Sequence, residues 1–158
     1  VCNAGKGVFG SLEEFSPRQI RELIDLNLTS QLLLAHTLLP TLKRRRSGDI
    51  VFMGSESALS GGRRGVVYSA TKFALRGAAQ ALRGECATSG VRIGIVNPGM
   101  VDTDFFSDLS FRPGSLPDNH LQADDVAQAV LLMLNARRGA AIDEINLSPQ
   151  KQVIDFKK

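Results

Sequence analysis

Three side chains in this sequence have the types and spacing for acid/base chemistry: Ser55, Tyr68 and Lys72. Tyr68 is the only tyrosine, Lys72 follows it by four residues and Ser55 precedes it by thirteen. A phenol gives up its proton near pH ~10, so it works at neutral pH only when something stabilises the phenolate. On a helix, positions i and i+4 share a face. The Lys72 ammonium can therefore stand beside the Tyr68 oxygen and lower its pKa. Ser55 adds a neutral hydroxyl able to hydrogen-bond a substrate carbonyl or alcohol at the same spot. Taken singly, Tyr68 and Lys72 are equally a surface pair and Ser55 a turn residue. Their weight comes from their register with the elements around them.

Those elements follow from local pattern. Ser16-Pro17 starts a helix, with serine as N-cap and proline in the first turn, and Ile20, Leu23, Ile24 and Leu28 supply its apolar face. The helix continues past Leu32, Leu33 and Leu34 to about Pro40, whose missing amide hydrogen is expected to kink its end. Lys43-Arg44-Arg45-Arg46 reads as a last helical turn, where cations complement the dipole. Ile50-Val51-Phe52-Met53 is a short buried strand between Gly48 and Gly54, and Ser55 sits at its carboxyl end. Residues 66–87 carry Ala70, Phe73, Ala74, Ala78 and Leu82 at helical spacing, with Gly90 as a stop. Residues 91–96 form a second strand, expected to turn at Asn97-Pro98-Gly99. Residues 104–121 read as a loop or lid, 122–135 as a third helix around Val126, Ala129, Val130 and Met133, and 141–147 as a last strand.

Alternating helices and strands imply an α/β fold with a doubly wound parallel sheet, right-handed crossovers and helices on both faces. In such a sheet, ligands lie outside the carboxyl ends of the strands. The turns at those ends contain Asn3-Ala4-Gly5, Ser55, and Pro98-Gly99 through Thr103, with Tyr68 near the start of the next helix. Topology should gather them at one edge.

With 158 residues, 43% of them hydrophobic, the chain reads as one domain, 1–158, with a single core. Its net charge of +3 is too small and scattered to imply a nucleic-acid partner, and no apolar run is long enough for a bilayer. Cys2 and Cys86 have neither metal-ligand spacing nor a disulfide framework, so a reducing, cytoplasmic setting is expected and no metal site. There is no signal-peptide pattern. The chain opens on Val1-Cys2 running into Asn3-Ala4-Gly5, as the end of a buried strand entering a loop would, and so reads as starting in the middle of a fold.

The ordered set of Asn3-Ala4-Gly5, Asn27 within Asp25-Leu26-Asn27-Leu28, Ser55 after a strand, Tyr68 with Lys72, Asn97-Pro98-Gly99 with Val101 and Thr103, and Asp124-Asp125-Val126-Ala127 resembles the short-chain dehydrogenase/reductase family. The resemblance extends over nearly the whole chain, as the catalytic portion of a Rossmann-like fold whose first βαβ units are missing. It implies hydride exchange between a nicotinamide cofactor, NAD or NADP, and a small-molecule carbonyl or alcohol. Tyr68 would be the general acid/base, and Lys72 would lower its pKa and hold the nicotinamide ribose. Ser55 would orient the substrate oxygen, and Asn27 would hold a water in a proton relay. Asn3, Ala4 and Gly5 would line the adenosine side of the cofactor, and Pro98, Gly99, Val101 and Thr103 its carboxamide side. Pairing through the two long helices into a homodimer or homotetramer is expected, with Ala74, Ala78 and Ala81 allowing close approach.

Two departures accompany the resemblance. Cys2-Asn3 stands where the family often has two asparagines. The glycine-rich fingerprint that cradles the pyrophosphate is not among these residues; Gly61-Gly62-Arg63-Arg64-Gly65 lies between Ser55 and Tyr68 and reads as a substrate-side loop. A second reading is therefore a truncated, non-catalytic binding or oligomerisation module. Of the remaining candidates, His36 is expected in a core or interface, His120 in a solvated loop and Cys86 inside a helix, while Phe105 and Phe106 are either a substrate wall or a lid anchor.

Overall fold

The computed structural model describes residues 1–157. Two strands carry the centre of the fold, β1 (Gly48–Met53) and β2 (Val91–Pro98), paired in parallel with Ile50 opposite Ile93 and Phe52 opposite Ile95. Both are apolar on both faces, as a strand covered on two sides requires. A third parallel strand, β4 (Glu144–Leu147), extends β2 on the far side, Val96 opposite Ile145. On the near side, Cys2 adds a single parallel bridge to Phe52, its amide donating to Val51 O at 2.8 Å and its carbonyl accepting from Met53 N at 2.9 Å.

Helices cover both faces. Ile50, Phe52, Val91, Ile93 and Ile95 pack with Ala35 and Leu39 of α2 (Ser30–Arg45) and with Leu75, Ala79 and Cys86 of α3 (Val66–Cys86). Val51 and Val96 point the other way, onto Ala129 and Met133 of α4 (Ala123–Asn135). Each such buried aliphatic or aromatic side chain contributes roughly 1.5–3 kcal/mol. The expected Rossmann-like α/β architecture with a parallel sheet is present, and the sheet is small. Among the described residues, no helix is long and apolar enough to cross a membrane.

Local signals hold at most helix ends. α1 (Pro17–Ile24) is capped by Ser16, which accepts from Gln19 N at 3.2 Å while the Gln19 side chain accepts from Ser16 N at 2.9 Å. Lys43, Arg44 and Arg45 form the last turn of α2, which Arg46 closes in the left-handed region at φ 51°. Gly90 ends the turn after α3 at φ 73°.

Several expectations are corrected. Pro40 does not end the helix; it lies inside α2, which runs on to Arg45. Pro40 is exposed, so the carbonyl it leaves unbonded within the helix is near solvent. β2 does not stop before Asn97 but includes Pro98. The amides of Ile95 and Gly99 donate to Asp143 O and Leu147 O, so the odd-numbered amides of β2 face β4. Pro98 thus turns its missing donor toward β1, past the end of that strand at Met53, and no ladder bond is lost. Residues 104–121 hold structure of their own, a strand β3 (Phe111–Pro113) that pairs antiparallel with β5 (Ile154–Phe156) near the end of the chain. Of the two places expected for His36, a core or an interface, the core is ruled out, since His36 is exposed. His120 is not solvated: its side chain is 10% exposed and its Nδ1 donates to Gly114 O at 3.0 Å, bracing the same loop. Cys86 is buried in α3 as expected.

Gly94 shows how closely α4 approaches the sheet. A Cβ there would run into Met133 Cε and stand 2.8 Å from the Ile142 carbonyl oxygen. Gly94→Ala is expected to cost about 1–3 kcal/mol of stability through overpacking. A urea unfolding midpoint unchanged by this substitution would refute the close approach.

Candidate functional site

The carboxyl ends of the Cys2 segment, β1 and β2 open onto one edge, and the three candidate side chains meet there. Ser55 follows β1 directly, is buried, and its Oγ accepts from Ser57 N at 3.1 Å, which starts a short 3-10 turn at Glu56–Ala58. Tyr68 and Lys72 come from the first two turns of α3 and are each 6% exposed. Lys72 extends along its helix to the end of β1, where Nζ donates to Met53 O at 2.9 Å. Its Nζ lies 5.7 Å from the centre of the Tyr68 ring.

Burial sets the protonation of both groups. It pushes the Lys72 ammonium down from 10.5 to about 8, because the charged form loses water. It pushes the Tyr68 phenol up from its ordinary value. The Ser55 hydroxyl opposes that shift by hydrogen bonding, and the Glu56 carboxylate adds to it by charge repulsion. The expectation that Lys72 lowers the Tyr68 pKa is therefore reversed in net direction: desolvation of the phenol dominates, and the ammonium is hydrogen-bonded to a backbone carbonyl.

Asn27 reaches this edge from a π-helical turn, Asp25–Thr29, between α1 and α2. Such turns widen a helix by one residue and re-aim its side chains, frequently at functional sites. Asn27 is 1% exposed and its amide is used on the neighbouring loop and on α3. Oδ1 accepts from Lys6 N at 2.9 Å, and Nδ2 donates to Lys6 O at 2.9 Å and to Thr71 Oγ1 at 3.4 Å. Thr71 in turn donates to Tyr68 O at 2.7 Å. Asn3, Ala4 and Gly5 are exposed along the rim that this clamp holds. Gly5 is bare for a reason, since a Cβ would lie 3.2 Å from Asn27 Oδ1 and 3.8 Å from Lys72 Nζ.

The opposite wall is formed by residues after β2. Pro98 is buried, and Gly99 donates to Leu147 O at 2.7 Å. Val101 forms a bridge to Leu121, and Thr103 caps the turn at Asp104–Phe106 from an exposed position. Asn97 lies beneath, fully buried, donating to Glu144 Oε1 at 3.0 Å and Asn146 Oδ1 at 2.9 Å. Its Oδ1 presses on Gly54, where any side chain would collide with it. All the candidate residues thus lie on this one edge, and at Gly61 and Gly62 an added Cβ would meet only open space.

Four contributors lack an obvious signal in the sequence. Gln31, 3% exposed, donates to Ala4 O at 2.6 Å, and its place four residues after Asn27 on one helix face is the pattern that could have exposed it. Thr71 links Asn27 to the Tyr68 backbone. Met53 acts through its carbonyl alone. Glu56, raised by burial from its ordinary carboxylate range, accepts from Gln152 Nε2 at 3.2 Å and lies against Gly99. Among the described residues, no cluster of His, Cys, Asp and Glu is arranged to hold a metal.

Fold and site together define a Rossmann-like α/β protein with a Ser-Tyr-Lys group at the carboxyl edge of its sheet. The chain belongs to the short chain dehydrogenase family, whose model matches residues 1–112. It is 35% identical over 114 residues to mouse 17-beta-hydroxysteroid dehydrogenase type 1, covering 72% of this chain and 33% of that protein. It is 29% identical over 149 residues to an uncharacterized oxidoreductase of Staphylococcus epidermidis, covering 94% and 63%. Among solved structures, an alcohol dehydrogenase from the archaeon Thermococcus sibiricus complexed with 5-hydroxy-NADP superposes with a TM-score of 0.83 at 29% identity, covering 96% of this chain and 63% of that one. The fold is also that of ElxO with NADP bound, at a TM-score of 0.82, 23% identity and coverage of 93% and 64%. The chain spans from a third to just under two thirds of the length of these proteins.

The buried ammonium has a measurable consequence. Between pH about 8 and 10.5 the unfolded chain binds the Lys72 proton more tightly than the folded one, so the Lys72 contribution to stability rises with pH across that window. Below about 8 the full cost is present. Lys72→Met is expected to be more stable than the parent at pH 7 by about 1–2 kcal/mol, allowing for the Met53 carbonyl it leaves unpaired. The difference should shrink toward zero by pH 10.5. Urea unfolding at the two pH values measures it, and a variant less stable at pH 7 would refute the desolvation account.

Proposed function

We propose that residues 1–158 form the catalytic domain of an NAD(P)-dependent oxidoreductase that interconverts a carbonyl and an alcohol, with Tyr68 as its general acid/base. The observation that carries this reading is the convergence of Ser55, Tyr68 and Lys72 on a buried edge beside the bare backbone of Gly5. The names of the relatives support it, since two are dehydrogenases and one structure holds an NADP derivative.

The residues present fit the nicotinamide and ribose side of such a cofactor. Gly5 is open against Asn27 and Lys72. Lys72 spends one N–H on Met53 O and has two more for ribose hydroxyls. Asn3 and Ala4 lie with Gly5 on the adenosine side, and Pro98, Gly99, Val101 and Thr103 on the carboxamide side. When bound, a reduced nicotinamide supplies the hydride that the carbonyl carbon accepts. The carbonyl oxygen takes its proton from the Tyr68 hydroxyl, and in the oxidative direction the phenolate takes it back. With its pKa above the ordinary phenol value, Tyr68 is protonated at neutral pH and can donate in the reductive direction, while the oxidative direction needs the phenolate stabilised by the Lys72 ammonium. The Ser55 hydroxyl orients the substrate oxygen and stabilises negative charge gathering on it. Lys72 carries the positive charge that offsets the phenolate, and the family resemblance gives Asn27 the holding of a relay water, through a group other than the side-chain amide that Lys6 and Thr71 occupy.

Tyr68→Phe keeps the ring packing and removes the transferable proton. It is expected to lower kcat for NAD(P)H-dependent ketone reduction by about a hundredfold to ten-thousandfold with an unchanged fold. Turnover within a few-fold of the parent would overturn the assignment.

Association into a dimer or tetramer through α2 and α3 is part of the same proposal. Leu33 is 60% exposed and Leu38 42% on α2, and Phe73 is 44% exposed on α3, which also exposes Ala74 and Ala81. Exposed large apolar side chains on both helices are what an interface there would cover. Sedimentation velocity of the full-length protein is expected to give a dimer or larger, and Leu33→Glu with Phe73→Glu to shift it toward monomer. A monomeric parent protein would sink this part.

A further inference from the structure

Five aromatic rings, Tyr68 among them, form a closed circuit of neighbours. Phe9 lies 5.2 Å from Tyr68 and 5.0 Å from Phe111, centre to centre; Phe111 is 5.9 Å from Phe106, Phe106 is 5.1 Å from Phe105, and Phe105 is 6.2 Å from Tyr68. The circuit joins three distant parts of the chain. Phe9 comes from the loop after Gly5, Tyr68 from α3, and the others from residues 105–111.

Within the circuit, adjacent residues take different parts. Phe106 is 8% exposed and anchors the loop, whereas Phe105 is 38% exposed and keeps a free face. The anchoring is firm. Lys157 Nζ donates to the carbonyls of Phe106 at 2.6 Å and Ser107 at 2.8 Å, and β3 is paired to β5 beside it. Phe105 and Phe9 also close on the bare backbone of Gly7, where a Cβ would meet Phe105 Cζ at 2.7 Å and Phe9 Cε2 at 2.8 Å. Behind Phe9 the wall continues into Val8, Phe15, Ile20, Leu23 and Val67. Tyr68 is therefore flanked by carbon, from the Phe9 and Phe105 rings and from Leu23 and Val67.

Such a wall stacks well on an apolar ring and offers nothing to a hydroxyl. Ring faces in contact add to the gain from burial, while each sugar hydroxyl stripped of water without a partner is penalised. We propose that Phe105 is a substrate-contacting residue and that the Phe9, Phe105 and Phe111 wall selects carbonyl or alcohol substrates bearing an apolar ring over open-chain polyols. This rests on the reading of Tyr68 as the acid/base group.

The test uses the full-length protein with NADH and NADPH and four ketones, acetophenone and tetralone against dihydroxyacetone and xylulose. Ring ketones are expected to exceed the polyols in kcat/KM by about a hundredfold or more. Phe105→Ala is expected to reduce that ratio about tenfold, mainly through a higher KM for the ring ketones, with Phe105→Tyr restoring most of it. Preference for the polyols, or a Phe105→Ala effect equal on both classes, overturns the proposal. Should Phe105→Ala melt well below the parent, Phe105→Leu replaces it, keeping apolar bulk without a ring face. Where all four ketones turn over too slowly, saturation-transfer NMR decides. Contact with tetralone that is lost in Phe105→Ala supports the wall, and equal signal from tetralone and xylulose overturns it. Tyr68→Phe separates the two levels of inference. Full activity in that variant removes the acid/base reading, whereas an inactive Tyr68→Phe together with ring selectivity that Phe105→Ala leaves unchanged in the Tyr68-containing protein removes the wall alone.

Discussion

The buried ammonium of Lys72, bound to the Met53 carbonyl, ties the chemistry to the fold. It joins the second turn of α3 to the carboxyl end of β1, so the helix carrying Tyr68 is registered against the strand that ends at Met53, two residues before Ser55. A lysine so placed costs stability, because its charge has left water for a site whose partner is a neutral carbonyl. A protein built only for stability would put an apolar side chain there. The lysine's place there supports the role proposed for it beside Tyr68.

Around that link, the parallel sheet arranges everything else. Pairing β1 with β2 brings Ser55 level with the Gly54, Asn97 and Gly99 region, and pairing β2 with β4 closes Gly99 from the other side. The Cys2 bridge to Phe52 delivers the 3–5 rim to the same edge. Asn27 and Gln31 then lock that rim from the helix above, each holding backbone polar groups that would otherwise lie unpaired in a turn. The rim is thus held by side-chain amides in place of a strand ladder, which leaves its outer face free.

The elements were legible in the sequence where one local rule was enough. Ser16-Pro17 gave a capped helix start, Lys43–Arg45 a last turn, Ile50-Val51-Phe52-Met53 a strand, and Gly90 a stop. Local rules failed where a distant partner overrode them. Pro40 looked like a stop but is accommodated at an exposed turn of α2, and Pro98 looked like a strand end but faces the side where β1 has already finished. β3 and β5 are three residues each and stabilise one another across more than forty residues, too far apart for a periodicity to reveal either. His120 was misread for the same reason, its acceptor Gly114 being placed by the loop and not by its neighbours.

For the candidate site, residue types and spacing were sufficient to nominate Asn27, Ser55, Tyr68 and Lys72, and connectivity was sufficient to gather them, because parallel strands with intervening helices send their following turns to one edge. Protonation was beyond the sequence. The spacing of Tyr68 and Lys72 implied a lowered phenol pKa, yet solvent exclusion, a property of the whole packed edge, raises it. The sequence likewise left Phe105 and Phe106 equivalent, and only the tertiary structure turned one inward as an anchor and left the other with a free face. Spacing along a chain sets which groups can meet. How much water remains when they do, and which side of each faces it, is set by segments far away in sequence.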